Sequence, residues 1–127
     1  MAFIDVPTLN GGHVHVGTDS VYRITRDVRD AAGATLTRVE FGDDYQLTST
    51  SAADVARLMT DPGASLVRLT GIDGTEIFLN VVAITAVRAA DPHLDASGAN
   101  AVVTVASHRQ AVRQTQAQVQ QALAAAG

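Results

Sequence analysis

The sequence predicts an α+β fold, mainly antiparallel β, in which two tandem β-rich repeats related by a pseudo-two-fold each end in a short helix. Three observations predict it. The chain resembles itself at a shift of 63 to 64 places, each copy carries an Asn-Gly or Asp-Gly turn near its start, and each closes with a capped, apolar-periodic segment.

The shift of 63 sets Leu9-Asn10-Gly11 on Ile72-Asp73-Gly74, with Phe3, Ile4 and Val6 on Leu66, Val67 and Leu69. Val14 and Val16 then meet Ile77 and Leu79, and Val21 and Ile24 meet Ile84 and Val87. One inserted residue moves the shift to 64, placing Val39 and Phe41 on Val103 and Val105, Ser51 on Thr115, and Val55 and Met59 on Val119 and Leu123. Residues 1–60 form the first repeat and 65–127 the second, with 61–64 as linker, because Pro62 blocks helix continuation and Gly63 releases the turn.

Each copy opens with an apolar strand and a dipeptide tolerant of positive φ, the strongest short hairpin signal. The strand after it alternates, with Val14 and Val16 inward in one copy and Ile77 and Leu79 in the other. A third strand spans Val21 to about Val28, paired with Thr35 to Phe41. Its counterpart runs from Ile84 to about Ala89, paired with Ala101 to Val105. Ser51 caps a helix from Ala52 to Met59, with Asp54 three places on. Thr115 caps a second helix to about Ala125, with Gln118 at the same offset. Val55, Leu58 and Met59 line one helix face, and Val119, Ala122, Leu123 and Ala126 the other.

Composition narrows the function. In 127 residues, apolar types make up 46% but only five residues are aromatic, so the core must be aliphatic and β-branched. Repeats of this size are marginal alone and are expected to share one core or a continuous sheet. Nine Arg and no Lys stand against thirteen Asp and Glu, a formal charge of −4 that speaks against a role dominated by phosphate contacts. The absence of cysteine excludes disulfides and thiolate metal sites. No basic-then-apolar leader opens the chain, and the apolar run Val81 to Val87 is too short to span a bilayer. A cytoplasmic or virion location is expected, without membrane insertion.

Leu69, Thr70, Gly74, Ile77, Leu79, Asn80 and Ile84 form a pattern that resembles the FlbD family of small flagellar accessory proteins. The match covers residues 66–87, with a weaker echo at 3–24 where Gly17 replaces the pattern's Asn. The resemblance implies a hairpin fold and, as an alternative function, a flagellar accessory role.

Candidate chemistry is sparse. His13 and His15 stand two apart on one strand face and could share a metal ion, but no third ligand is near in sequence, and they read as outward surface residues. His93 and His108 are isolated in or beside loops and read as solvated surface histidines. Asp43 and Asp44 follow Gly42 where a strand must turn, which accounts for them without catalysis. No nucleophile elbow or phosphate loop is present, so no enzyme, cofactor or small-molecule substrate is expected.

The hairpin from Val21 to Phe41 carries Arg23, Arg26, Arg29 and Arg38 among Asp27, Asp30 and Glu40. If its strands reach the turn near Ala32-Gly33, it projects as an arm suited to a protein neighbour, to solvent or to nucleic acid. Gln116 and Gln120, in a helix face rich in uncharged Gln, could dock on another subunit without burying an ion. The expected function is a non-enzymatic structural or assembly protein forming homo-oligomers or packing with other subunits, with a bacteriophage virion as the best single assignment. Nucleic acid is not the expected partner, and binding through the arginine hairpin stands as a further alternative.

Overall fold

The computed structural model describes residues 2–29 and 35–126, without the side chains of residues 27–29. The strands are β1 (Phe3–Pro7), β2 (His13–Gly17), β3 (Val21–Arg29), β4 (Thr35–Phe41), β5 (Asp44–Thr48), β6 (Leu66–Thr70), β7 (Glu76–Asn80), β8 (Ile84–Ala89), β9 (Ala101–Val105) and β10 (His108–Val112). Helix α1 (Ala52–Thr60) follows β5 and α2 (Gln116–Ala126) follows β10, each one residue longer than expected. This is the mainly antiparallel β fold with two helices that the sequence predicts. The same elements occur twice in the same order, including 3-10 turns at Thr18–Ser20 and Val81–Ala83.

Both hairpins form at the predicted dipeptides. Gly11 and Gly74 adopt φ of +88° and +86°, a region L side chains rarely enter. In the first hairpin Ile4 pairs with Val16 and Val6 with Val14, while Asp5 and His15 pair on the opposite face. In the second, Val67 pairs with Leu79 and Leu69 with Ile77. Ser51 Oγ accepts from Asp54 N at 3.2 Å to cap α1. At α2 the cap is reciprocal: Thr115 Oγ1 accepts from Gln118 N, and Gln118 Oε1 accepts from Thr115 N.

The halves are joined by one hydrogen-bonded sheet of order β5-β4-β3-β7-β6. Its seam is β3 against β7, with Arg23 opposite Leu79, Ile24 opposite Phe78 and Thr25 opposite Ile77. Asn80 fastens the seam from the second half, donating from Nδ2 to Thr18 O at 3.0 Å and Val21 O at 2.9 Å. The equivalent junction of β8 with β2 is not made: β1-β2 and β10-β9-β8 remain separate sheets.

The central sheet is covered on both faces. One face packs Val21, Ile24 and Val39 against Ile4, Val6 and Val16 of the first hairpin and Val55 and Met59 of α1. The other packs Val67, Leu69, Ile77 and Leu79 against Val103, Val105 and Val112 and against Val119 of α2. Burying each such aliphatic side chain stabilises by about 1.5–3 kcal/mol. Because β3 lies between two layers, both of its faces are enclosed, and Val21, Tyr22, Ile24 and Thr25 are all buried.

Candidate functional site

The arginine hairpin does not present its cations as one outward row. Pairing of Arg23 with Glu40 and of Thr25 with Arg38 places all four side chains on one face of the central sheet. A register shift between Val21 and Arg23 adds Tyr22 to that side, where it joins the second core. Glu40, only 4% exposed, is the hub. Its Oε1 accepts from Arg23 Nε at 3.0 Å and lies 3.4 Å from Arg38 Nε. Its Oε2 accepts from Arg23 Nη2 at 2.6 Å and from Tyr22 Oη at 2.8 Å.

Burial by itself pushes the Glu40 carboxyl up, but the hydrogen bonds from Arg23 and Tyr22 and the two guanidinium charges outweigh it and hold the group below its ordinary 4.5. Burial, reinforced by the hydrogen bond to Glu40, pushes the Tyr22 phenol up to about 12.

The third sheet completes this network. Gln110 Oε1 on β10 accepts from Arg23 Nη1 at 2.8 Å. The His108 ring stacks on Tyr22 with centroids 5.1 Å apart, and its Nε2 lies 3.2 Å from Tyr22 Oη. His108 is exposed and stands beside the turn at 106–107, as the sequence predicts, and from the first position of β10 its ring also contacts the interlayer network. The Arg38 guanidinium lies 4.1 Å over the Tyr45 ring. Arg26 is exposed and Arg29 ends β3 opposite Thr35, whereas residues 30–34 and the Arg29 side chain lie outside the described residues.

The remaining candidates divide in the same way. His13 and His15 do face outward, and His15 Nδ1 lies 2.8 Å from Asp5 Oδ1 with its ring stacked on Phe3. Among the described residues no group of three or more His, Asp or Glu side chains is placed to hold a metal ion. Gln116 donates to Val87 O at 3.2 Å, tying α2 to β8, while Gln120 is exposed. Asp44 Oδ1 accepts from Tyr45 N at 2.7 Å beside Gly42 at φ +54°, as a turn requires. No described helix is long and apolar enough to cross a membrane.

Exposed polar groups stand near the turn of residues 71–75 on both sides of the central sheet, Arg26 on the face opposite Thr25 and Arg113 and Asn100 on the side of β10. Arg26 follows Thr25, which pairs with Ile77, so it stands level with the start of β7 beside the turn of residues 71–75. Arg113 lies over that turn, donating from Nη2 to Ile72 O at 3.0 Å. Asn100 Nδ2 in turn donates to Arg113 O. Sequence reasoning missed Arg113 and Asn100, since neither belongs to a motif. The one available signal was the lone arginine following the apolar end of β10.

No family model and no curated protein matches the chain. Among solved structures, the LytTr DNA-binding domain of a response regulator from Bacillus cereus superimposes with a TM-score of 0.57 at 14% identity, over 95% of this chain and 93% of that one. The chain is similar in fold to a LytTr DNA-binding domain. That likeness overturns the FlbD resemblance, whose residues are accounted for as a hairpin and its core within a much larger LytTr-like arrangement. It equally corrects the assignment to a virion assembly subunit and the expectation that nucleic acid is not a partner, because the similar solved domain is described as binding DNA.

Proposed function

We propose that the chain is a non-enzymatic DNA-binding module acting in the cytoplasm. The single observation that carries this reading is the LytTr-like fold over nearly the whole chain. With a net charge of −4, attraction to DNA has to be local rather than global. The exposed groups around the turn of residues 71–75, Arg26 on β3 and Arg113 and Asn100 beside β10 and β9, supply the needed chemistry: guanidinium groups for phosphates and an amide for a base edge. Arg23 and Arg38, turned inward to Glu40, are not assigned to DNA contact.

The test is enrichment of duplexes from a randomised library, followed by mobility-shift titration of an enriched duplex at increasing salt. An enriched duplex is expected, with log affinity falling linearly against log salt. Arg26→Ala with Arg113→Ala should weaken binding and lower that slope by about 2. Arg57→Ala, on α1, should leave it unchanged. Failure to enrich any duplex, together with no retention of DNA at low salt, would remove the proposal.

A further inference from the structure

β8 is an outer strand of its sheet, and side chains close its free edge. Ala90 N donates to Asn100 O across the β8–β9 pair, so by antiparallel alternation the backbone groups of Val87 and Ala89 face away from β9. Both outward carbonyls are taken. Gln116 Nε2 donates to Val87 O at 3.2 Å and Arg88 Nη1 to Ala89 O at 3.3 Å. Arg88 is itself held by the Asp95 carboxylate at 2.7 and 2.9 Å. A similar cover recurs on two other outer strands, where Gln46 Nε2 donates to Leu47 O on β5 and Gln110 Nε2 to Ala111 O on β10.

The internal repeat shows what this edge would otherwise hold. Shifts of 63 and 64 places set Val87 on Ile24, Arg88 on Thr25 and Gln116 on Ala52. Thr25 and Ala52 carry no long donor, and in the first half Ile24 pairs with Phe78 of β7. The strand matching β7 is β2, with His15 at the place of Phe78. Thr8 N donates to Gly12 O and Thr18 N to Ala2 O, which turns the backbone groups of His13 and His15 away from β1, and both residues are exposed. Within one chain β2 and β8 stay in separate sheets, and Gly17, at the place of Asn80, has no amide to fasten them.

We infer that Gln116 and Arg88 form a latch that keeps β8 of one copy from accepting β2 of a second copy, in a junction built like the β3–β7 seam. An outer strand with unpaired backbone groups is a template for a further strand. The register of the seam puts Val87 opposite His15 and Ala89 opposite His13. The amides of those two histidines then bond to the carbonyls that the latch covers, so the side-chain donors must leave first. The junction joins unlike edges, which gives either a reciprocal pair of copies or an open chain of them. The latch does not depend on DNA binding and is read on the free protein.

The experiment is sedimentation velocity of the full chain over a concentration series, with circular dichroism to check that each variant is folded. The wild type is expected as a single chain. Arg88→Ala with Gln116→Ala should associate about tenfold more tightly, since two backbone carbonyls become available. Adding His15→Pro removes an edge amide and is tolerated where that amide faces solvent, so it should return the double variant to single chains. Gln116→Met keeps the side chain's length and helix preference without the donor; it should associate as well and decides the matter if the double variant does not fold. A folded variant lacking the latch that stays a single chain, association that His15→Pro leaves intact, or a wild type that associates as tightly as the double variant would each overturn the inference.

Discussion

Replacing Glu40 by alanine tests the central physical claim, that the interlayer arginines are held by one buried carboxylate. Glu40 receives two hydrogen bonds from Arg23 and one from Tyr22, with Arg38 Nε at 3.4 Å. Its side chain is 6% exposed and that of Arg23 18%. Removing the acid leaves a guanidinium largely out of water with Gln110 as its remaining bonded partner in the network. Breaking a buried pair from one side costs about 3–5 kcal/mol. For a domain of this size that corresponds to a fall in Tm of roughly 10–20 °C.

The assay is urea unfolding followed by circular dichroism. A double variant separates pairing from packing. Arg23→Met with Glu40→Met should recover much of the loss, because replacing both charges with apolar groups removes the uncompensated ion. The pH dependence follows from the depressed carboxyl of Glu40. Its contribution is fully present above the ordinary value of 4.5 and is lost as pH falls through the lower folded-state value. A loss below about 1 kcal/mol for Glu40→Ala, the range of an exposed pair, would refute the claim that this network is buried and strong.

Two other predictions concern the β3–β7 seam and the Glu40 network. Asn80→Ala removes a 2% exposed amide that donates to Thr18 O and Val21 O, and should destabilise by about 2–4 kcal/mol in the same unfolding assay. Ultraviolet titration of the phenols should show Tyr22 ionising at about 12, moving towards 10 in the Glu40→Ala variant as the acceptor and its charge disappear. Because the folded state holds that proton more tightly, its contribution is whole below about 10 and declines as pH rises from about 10 towards 12.

The amino-acid order determined what is local. Asn10-Gly11 and Asp73-Gly74 impose turns because glycine alone accepts their positive φ without strain, and alternation around them assigns faces to Val14, Val16, Ile77 and Leu79. Ser51 and Thr115 mark helix starts because their oxygens satisfy amides that the first turn leaves unpaired. Those interactions span a few residues, so their signals lie within short windows of sequence.

The direction of the arginines was decided only by tertiary structure. Arg23, Arg38 and Glu40 alternate like a solvated strand face, and nothing within Val21–Phe41 announces that β10, about 70 to 90 residues later, will cover them. The register shift that brings Tyr22 to His108 is likewise a property of the assembled sheet. The union of β3 with β7 depends on Asn80 reaching two carbonyls of the other half, a pairing of edges that hydrophobic spacing does not encode. The comparison with known folds divides in the same way: the hairpin pattern spoke for residues 66–87 alone, while the likeness in fold to the solved LytTr domain extends over 95% of the chain.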